Sequence, residues 1–409
     1  MLDWANQFSI CCFLDDNQYR LREHSFECLL AVNAQSVLHT TQGKVFEQLQ
    51  AFIDKNNDWC FGHLGYDLKN EIEALQSHNA DPVKFDDIFF FVPELVLILR
   101  SNELLIGVKG QEHASVARAV FNRLPATPST PLQIEIKSRF SRNAYINTVR
   151  ELQQHILQGN CYEINFCQEF YNDHAVINPL QVYMALSKES PNPFSCYYKL
   201  EDKYLLCASP ERYLRKKGNR LISQPIKGTI RRNNKRAEAD AFNRETLQHS
   251  SKERSENIMI VDLVRNDLAK VCIEGSVKVD ELMGIYAFPQ VYQMISTISG
   301  EVAHTVPVTN IVKATFPMGS MTGAPKKRVM ELIEQYEQTK RGLFSGAVGY
   351  ISPVQDMDFN VVIRSILYNA SNRYLSFQTG SAITYYSRAE DEYEECLLKA
   401  EAIKKVLNG

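Results

Sequence analysis

The chain has 409 residues, of which 44% are hydrophobic and 23% are charged, and its formal net charge is -3. These values are typical of a soluble globular protein with one large domain or two ordinary ones. Without a general excess of positive charge, the sequence argues against a nucleic-acid or anionic-membrane partner, either of which would need a concentrated basic patch.

The sequence also predicts a cytoplasmic protein that does not enter a membrane. Its longest apolar run, residues 88–99, is too short to span a bilayer and contains Pro93 and Glu94. The N-terminus opens with Asp3 and lacks the basic stretch of a secretory signal. The ten cysteines are scattered without CxxC spacing, which predicts buried free thiols rather than disulfides or a zinc site.

The first predicted element is a β-hairpin, formed by the apolar run 88–99, a polar connection and the apolar residues 104–108. A domain boundary is predicted at residues 124–131, where three prolines interrupt regular structure within eight residues. The boundary separates an N-terminal region, residues 1–125, from a second region, residues 138–407. The second region contains nearly all the recognisable chemistry.

The second region opens with a predicted amphipathic helix. Ser141 is its expected N-cap and Gly159 its expected end. Five apolar residues recur on one face of this helix: Phe140, Tyr145, Val149, Leu152 and Ile156. Strands are then predicted at residues 161–170, 204–208, 348–351, 361–368 and 374–379, alternating with helices.

Two further predicted helices each carry a pair of glutamates three residues apart. These pairs are Glu253 with Glu256 and Glu392 with Glu395. Residues at this spacing share one face of a helix, so each helix can direct two carboxylates the same way. Oxygen ligands of this kind suit Mg²⁺. By spacing alone, solvated surface carboxylates remain an alternative interpretation.

Several motifs carry a resemblance to a known family. They are Ser209-Pro210-Glu211-Arg212, Pro225-Ile226-Lys227-Gly228-Thr229, and the segments 256–267, 319–326, 346–350, 363–364 and 392–393. Their order and approximate spacing resemble the chorismate-utilising enzymes, and among these the aminodeoxychorismate synthases most. The likeness covers residues 140–407 and is thinner in the N-terminal region, where it depends mainly on residues 61–68.

This resemblance implies an α+β fold, in which stacked antiparallel β-sheets are flanked by helices around a central cleft. It also implies that residues 138–407 form a chorismate-binding catalytic domain. Residues 1–125 would resemble the N-terminal region of anthranilate synthase component I. We expect that region to pack onto the catalytic domain.

The resemblance implies a Mg²⁺ site as well. Glu256 and Glu395 would hold the ion at the ring carboxylate of chorismate, while Glu253 and Glu392 would order the water molecules bound to it. The metal would also draw electron density from the ring and favour attack at C2.

Two groups of residues are implied for the two substrate carboxylates. Gly228 and Thr229 would donate hydrogen bonds to the ring carboxylate. Arg364 would bind the enolpyruvyl carboxylate through its planar fork, together with Tyr350 and the backbone around Gly380 and Ala382. Thr322 and Arg232 complete the predicted substrate contacts.

Lys227 is the implied nucleophile, and it stands where relatives with other reactions carry alanine. In the aminodeoxychorismate synthases, a lysine adds at C2 as the 4-hydroxyl leaves, and ammonia then adds at C4 as the lysine departs. Lys227 would have to lose its proton through burial or through a neighbouring cation such as Arg232. Glu211 resembles the general acid that protonates the departing hydroxyl, a role that needs a raised pKa.

The implied reaction converts chorismate and ammonia to 4-amino-4-deoxychorismate, for 4-aminobenzoate and folate synthesis. The sequence shows no glutamine amidotransferase region, so a separate glutaminase subunit is expected to supply the ammonia. Two alternatives stay open, namely anthranilate synthase component I, against which Lys227 argues, and a non-catalytic chorismate-binding protein.

Three positions depart from the family pattern. Gln293 stands where histidine is frequent, and Ala382 where glycine is common. Glu163 stands where isochorismate and salicylate synthases have a water-activating lysine and where aminating relatives often have glutamine. The absence of that lysine argues against water as the nucleophile.

Overall fold

The computed structural model describes residues 1–19, 23, 26–40, 43–101, 103–110, 112–123, 133–233 and 235–409. The predicted boundary at residues 124–131 lies outside the described residues. The division into regions 1–125 and 138–407 therefore stays a prediction.

The helices flank a larger set of strands. The helices are α1 (Leu2–Ala5), α2 (Val45–Asn56), α3 (Lys69–Glu73), α4 (His113–Phe121), α5 (Arg142–Leu157), α6 (Pro179–Glu189), α7 (Ala237–His249), α8 (Ser251–Ala269), α9 (Val308–Thr315), α10 (Lys326–Tyr336) and α11 (Ala389–Asn408). The strands of the first half of the chain are β1 (Ile10–Asp15), β2 (Cys28–Val32), β3 (Ser36–Thr40), β4 (Cys60–Leu64), β5 (Ile88–Val92), β6 (Leu95–Arg100), β7 (Glu103–Val108), β8 (Lys137–Ser138), β9 (Glu163–Asn172), β10 (Phe194–Leu200) and β11 (Lys203–Ser209). Those of the second half are β12 (Arg212–Lys217), β13 (Arg220–Gln224), β14 (Ile226–Arg231), β15 (Lys278–Ala287), β16 (Val291–Glu301), β17 (Gly323–Ala324), β18 (Ala347–Ile351), β19 (Met357–Asn360), β20 (Ser365–Asn369) and β21 (Tyr374–Ile383).

The strands form two antiparallel sheets. The first has the order β17-β9-β21-β20-β11-β10-β1-β2-β6-β7, with β8 also paired to β9. The second has the order β14-β16-β13-β12-β19-β18-β4-β5-β3, with β15 also paired to β16. The α+β prediction of antiparallel sheets flanked by helices is therefore confirmed.

Alternation along the strands divides the buried apolar residues between two large clusters. In β1, Cys12 belongs to a cluster that joins both sheets and contains residues of α2, α8 and α9. Its neighbours Cys11 and Phe13 belong to a second cluster, which lies on the first sheet under α5, α6, α10 and α11. Successive strand residues point to opposite faces, so the first sheet is buried on both sides.

The predicted hairpin at 88–108 is confirmed only in its second part. Strands β6 and β7 pair as a hairpin, with Leu97 opposite Ile106. The apolar run before them breaks at Pro93 and Glu94, and its first part becomes β5, which pairs with β3 and β4 in the other sheet. One apolar run therefore supplies a strand to each sheet, and Pro93 and Glu94 separate the two strands.

The predicted helix after residue 140 is confirmed as α5. The Ser141 side-chain oxygen accepts a hydrogen bond from the backbone N–H of Ala144 at 3.2 Å, and Gly159 follows the helix with φ of 77°. The strand predicted at 361–368 is confirmed only from Ser365 onwards. Arg364 has φ of 52°, a left-handed conformation that interrupts extended structure before β20.

Two global expectations can be compared with the structure. All ten cysteines are free thiols, and nine of them are buried while Cys272 is half-buried. The prediction of buried free thiols is therefore confirmed. In the part of the chain that the structure describes, no helix combines the length and apolar character needed to cross a bilayer.

Candidate active site

A cavity of about 460 Å³ lies where β14, α8, β21 and α11 meet. Eleven of the fourteen predicted site residues line it: Glu211, Lys227, Gly228, Thr229, Arg232, Glu253, Glu256, Arg364, Gly380, Ala382 and Glu395. Residues that are far apart in the sequence thus converge on one space, which is large enough for a small molecule.

Lys227, the predicted nucleophile, lies on β14 and is engaged in a buried ion pair. Its Nζ is 2.9 Å from Oε1 of Glu163, and the two side chains are 10% and 1% exposed. Burial lowers the pKa of Lys227, but Glu163 and then Glu256 and Glu395 outweigh burial and raise that pKa above its usual value. The surrounding carboxylates therefore favour the protonated form of Lys227.

Arg232, predicted as a cation that could help Lys227 lose its proton, is paired with a carboxylate, and its effect on Lys227 stays a prediction. The Arg232 guanidinium pairs with Asp240, with Nη2 2.9 Å from Oδ2, and lies over the Tyr292 ring at 5.0 Å. Asp240 balances its charge, and the pKa of Lys227 is raised rather than lowered. Arg232 lines the cavity, and its positive charge is paired with the carboxylate of Asp240.

Glu211, the predicted general acid, lies in the connection between β11 and β12 and is 4% exposed. Burial raises the pKa of its carboxyl to about 7, although a hydrogen bond from the Ser320 hydroxyl at 2.6 Å to Oε1 opposes the shift. The backbone N–H of Val361 donates to the Glu211 carbonyl at 3.0 Å and helps to fix the segment. The residue can hold a proton near neutral pH, as a general acid must.

The four glutamates predicted to serve a metal lie on α8 and α11, and two lysines lie among them. Lys252 Nζ is 2.9 Å from Oε1 of Glu392, 3.8 Å from Oε2 of Glu395 and 3.9 Å from Oε1 of Glu256. Lys399 Nζ is 2.7 Å from Oε1 of Glu395. These ammonium groups balance negative charge that would otherwise be buried without a partner.

The electrostatics of these carboxylates differ from one another. Burial raises the pKa of Glu256 to about 8. For Glu395, Lys399 and Lys252 outweigh burial and hold the pKa at about 2. Oε1 of Glu256 and Oε2 of Glu392 are buried and form no hydrogen bond. Neither oxygen has a hydrogen-bond donor, although the Lys252 ammonium lies 3.9 Å from Glu256 Oε1.

The glutamate side chains of α8 and α11 offer oxygen atoms that a metal ion could bind. Within the described ranges, no three His, Cys, Asp or Glu side chains are already arranged around one point as metal ligands. The donors are nonetheless all carboxylate oxygens, and two of them have no hydrogen-bond donor. Their chemistry fits a hard divalent cation, which would replace the ammonium groups as the balancing charge.

Arg364 supplies positive charge to the cavity without a carboxylate partner. Burial lowers its pKa, with Glu395 exerting a weaker opposite effect. Among the described residues, no carboxylate forms an ion pair with this guanidinium. A half-buried arginine without a carboxylate partner can bind an anion, and its planar fork matches a carboxylate.

The remaining predicted binding residues are backbone positions and one threonine. Gly228 has φ of 99°, and a Cβ there would lie 3.1 Å from Oε2 of Glu253, so the position requires glycine. Thr229 follows it on β14, opposite Gln293. Gly380 and Ala382 lie on β21, and the Gly380 carbonyl accepts a hydrogen bond from Lys399 at 2.8 Å.

Tyr350 does not line the cavity, so its predicted contact with substrate needs correction. Its ring packs against Phe26, Trp59 and Phe61, at centroid distances of 5.6, 5.4 and 6.1 Å. It borders a smaller, separate cavity together with Phe26 and Arg212. The side chain belongs to an aromatic cluster formed with the N-terminal strands.

Thr322 and Glu392 also lie outside the cavity wall. Thr322 is fully buried, and its hydroxyl donates to the Met318 carbonyl at 3.3 Å. Ser320, two residues earlier, lines the cavity instead. Glu392 is 1% exposed and pairs with Lys252. Thr322 is therefore not placed for direct substrate contact, whereas Glu392 can act only through its neighbours.

Lys252, Lys399 and Ser320 are the site residues that the sequence analysis missed. Lys252 precedes Glu256 by four residues and Lys399 follows Glu395 by four, so helical spacing could have placed each lysine beside its glutamate. No comparable spacing signals Ser320, which meets Glu211 only through the fold.

Comparisons with known proteins identify similar chains. The sequence pattern of the chorismate binding enzymes matches residues 10–405. Aminodeoxychorismate synthase component 1 of Bacillus subtilis (strain 168) is 33% identical over 363 residues, covering 85% of this chain and 76% of that one. Anthranilate synthase component 1 of Aquifex aeolicus (strain VF5) is 30% identical over 391 residues, covering 89% and 78%.

A solved structure shares the fold. The crystal structure of anthranilate synthase component I from Streptococcus pneumoniae TIGR4 superposes with a TM-score of 0.80 and 24% identity. The superposition covers 95% of this chain and 94% of the other. At that identity, the likeness shows a common fold.

Proposed function

This chain belongs to the family of chorismate binding enzymes, and on that premise we propose that it aminates chorismate at C4. The product would be 4-amino-4-deoxychorismate, which leads to 4-aminobenzoate and folate. One observation carries the proposal, namely that the cavity wall contains both a lysine, Lys227, and the buried acid Glu211. The first could form a covalent bond to C2 while the second protonates the leaving hydroxyl.

Binding of chorismate requires partners for two carboxylates. Arg364, a half-buried guanidinium that forms no ion pair among the described residues, would take the enolpyruvyl carboxylate. Gly228 and Thr229 would hold the ring carboxylate from the other side of the cavity. Placing the two anions at separate sites fixes the orientation of the ring.

Mg²⁺ is proposed as the cofactor, held by Glu256 and Glu395, with Glu253 and Glu392 ordering its water molecules. When bound, the cation would neutralise the ring carboxylate and withdraw electron density from the ring. The two glutamate oxygens without hydrogen-bond donors support this assignment. So does the position of the Lys252 ammonium, which places a positive charge beside Glu256 and Glu392.

The proposed chemistry balances in two displacements. Neutral Lys227 Nζ forms a bond to C2, the ring double bond shifts, and the C4–O bond breaks as Glu211 delivers a proton to the departing oxygen, which leaves as water. Ammonia then bonds to C4, the double bond shifts back and Lys227 departs. The excess proton of the new ammonium group returns to Glu211.

A separate glutamine amidotransferase subunit is the proposed ammonia source, and the cytoplasm the proposed location. The Bacillus subtilis relative is named component 1, which implies a second component for that protein. The amination step itself consumes ammonia, so a high concentration of free ammonium should replace the partner.

The test is a product analysis. The purified protein would be incubated with chorismate, Mg²⁺ and an ammonium salt near pH 7.5, and an added aminodeoxychorismate lyase would convert the 4-amino product to 4-aminobenzoate. Chromatography with mass detection identifies the products. Formation of 4-aminobenzoate that depends on the lyase supports the proposal. No turnover with either ammonium or an amidotransferase subunit would leave a chorismate-binding protein as the remaining interpretation.

Anthranilate synthesis is the second candidate, because the Aquifex aeolicus relative is named for that activity. In that reaction the amino group enters at C2 and pyruvate leaves, so an enzymatic lysine at C2 has no part. Anthranilate in the same product analysis would establish the second candidate and remove the covalent role of Lys227.

A further inference from the structure

A buried carboxylate with no role in the chemistry above contacts the proposed nucleophile. Glu163 begins β9 and is 1% exposed, and its Oε1 lies 2.9 Å from Lys227 Nζ. Both of its carboxylate oxygens are buried, and neither forms a hydrogen bond of regular geometry. Glu163 itself does not line the cavity, whereas Lys227 does. Glu163 can therefore act on a bound molecule only through the lysine amine.

Other charged groups face Lys227 from several elements. They are Glu211 before β12, Glu253 and Glu256 on α8, and Glu395 on α11. Each of these four has another task in the proposed mechanism, as the acid or as part of the metal site. Among the described residues, Glu163 is the one carboxylate in an ion pair with Lys227.

We propose that Glu163 accepts the proton that Lys227 must lose before it attacks the substrate. This role rests on the proposed amination of chorismate. One N–H bond at Nζ breaks and one O–H bond at Oε1 forms, which converts the ammonium–carboxylate pair into a neutral amine and a neutral acid. No electrons leave the pair. Glu163 keeps the proton through both displacements and returns it to Lys227 when the lysine is released.

The short distance favours a direct transfer. Lys227 Nζ and Glu163 Oε1 are 2.9 Å apart, which leaves no room for a water molecule between them. Both Glu163 oxygens lack a hydrogen bond of regular geometry, so the ammonium group must reorient toward Oε1 before the proton moves. A buried ion pair carries a desolvation penalty that a neutral pair does not. Proton transfer from Lys227 to Glu163 therefore becomes easier when a bound substrate fills the cavity and excludes water. The neutral amine of Lys227 then forms only when substrate is present.

The test compares Glu163→Gln with wild type across pH 6 to 8, using full-length protein with Mg²⁺, chorismate and ammonium. In the variant, Lys227 must lose its proton to solvent. We expect kcat/KM at pH 7 to fall about 10²-fold or more, because general-base catalysis contributes about 10² to 10⁴. The ratio of variant to wild-type rate should rise about tenfold per pH unit, since the neutral fraction of an amine does so below its pKa.

Glu169→Gln is the matched control. Glu169 lies on the same strand, is also buried, and pairs with Arg139 at 2.7 Å instead of with Lys227. The control should keep the wild-type pH profile. Glu163→Asp keeps a carboxylate, so it should recover part of the rate at pH 7. If the glutamine variant folds poorly, the aspartate variant still tests whether a carboxylate is needed at this position.

A merely structural ion pair would give a different result. It would change the variant rate by a constant factor at every pH, or change only KM, and either result would overturn the proton-acceptor role. If wild type makes the 4-amino product and Glu163→Gln matches it, the role of Glu163 is overturned while the proposed function stands. If wild type makes no 4-amino product, the proposed function fails and this role fails with it.

A second measurement examines the pair without the reaction. Reductive methylation with formaldehyde modifies neutral amines, and peptide mass spectrometry can follow the labelling of Lys227 against pH. We expect the labelling midpoint to fall by at least about one pH unit in Glu163→Gln and to stay unchanged in Glu169→Gln. An equal midpoint in wild type and Glu163→Gln would overturn the ion pair and the proposal with it.

Discussion

Lys227 can be tested by a substitution that keeps its charge. Lys227→Arg retains a cation beside Glu163 but offers no amine that can lose its proton near neutral pH. We expect at least about 10³-fold slower formation of the 4-amino product, because the covalent route is lost. The measurement is initial rate by product chromatography, alongside the thermal unfolding midpoint.

Lys227→Ala is the less discriminating variant. It leaves the buried carboxylate of Glu163 without its cation, and breaking a buried pair by removing one partner costs about 3 kcal/mol or more. Its inactivity could therefore reflect lost stability. Undiminished amination by a well-folded Lys227→Arg protein would eliminate the covalent mechanism.

The pKa of Glu211 predicts how kcat/KM falls at high pH. Burial raises its pKa to about 7, and a general acid works only while protonated. We expect kcat/KM to be steady below pH 7 and to fall about tenfold per unit as the pH rises above it. The measurement is kcat/KM across pH 6 to 9, at saturating Mg²⁺ and with the concentration of neutral ammonia held constant.

Glu211→Gln cannot deliver a proton at any pH. Its rate should be about 10²-fold to 10⁴-fold lower than wild type below pH 7, and the limb at pH 7 should disappear. A limb that persists in the glutamine variant would assign this titration to a different residue.

At the scale of single residues, the sequence predicted site residues that belong to recognisable motifs. It could not predict residues whose position depends on tertiary packing. Lys227, Glu211 and Arg364 were predicted from motifs, and all three line the cavity. Tyr350 was predicted in the same way, yet its ring contacts Trp59 and the N-terminal strands. A motif carries no information about which of two cavities a strand residue faces.

Carboxylates of helices α8 and α11 share the ammonium group of Lys252, and the proposed Mg²⁺ site between these helices can be tested by a metal titration. If Mg²⁺ binds there, it should raise the thermal unfolding midpoint of wild type, since a ligand that binds only the folded state stabilises it. Glu256→Gln removes a carboxylate that can ligate the ion, so it should weaken that stabilisation and shift the Mg²⁺ titration about tenfold or more to higher concentration.

Glu394→Gln is the control for the metal titration. Glu394 lies beside Glu395 on α11, but its side chain is 63% exposed. Its loss removes a carboxylate from the same helix without touching the cavity, so its Mg²⁺ titration should match wild type. If Glu256→Gln and Glu394→Gln titrate alike, Glu256 does not bind the metal.

At the scale of elements, hydrophobic periodicity predicted that helices and strands exist, but it did not predict which sheet each strand joins. The apolar face and the Ser141 cap identified α5, because both signals are local. The run 88–99 was assigned to one hairpin, yet its two parts lie in different sheets. Arg364 was assigned to a strand, yet it has φ of 52°. Tertiary contacts decide such positions, and a local pattern cannot reveal them.

At the scale of the whole molecule, the two sheets connect the N-terminal region with the rest of the chain. Strand β1 pairs with β10 from Ile10 opposite Leu200 to Asp15 opposite Ser195. Strand β4 pairs with β18 in the other sheet. The N-terminal strands therefore continue ladders that residues of the second region begin. Composition indicated a break near residues 124–131, but strand pairing across that break leaves no signal in one sequence.

This pairing predicts that residues 133–409 will not fold alone. Without the N-terminal strands, β10 and β18 would each lose a hydrogen-bonded neighbour, and the aromatic cluster around Tyr350 would lose Trp59 and Phe61. Exposed strand edges with apolar faces favour aggregation. We expect the isolated fragment to be largely insoluble and to lack a cooperative thermal transition by circular dichroism.

Co-expression of residues 1–123 with residues 133–409 provides the matched comparison, because it keeps every described strand and removes only the connection. We expect the two pieces to purify together and to retain the activity of the intact chain, measured as formation of the proposed 4-amino product, since both sheets can then be completed by association. A cooperative transition in the isolated 133–409 fragment would instead establish the second region as an independent domain. The cavity residues, all of which lie after residue 160, would then not need the N-terminal strands for their arrangement.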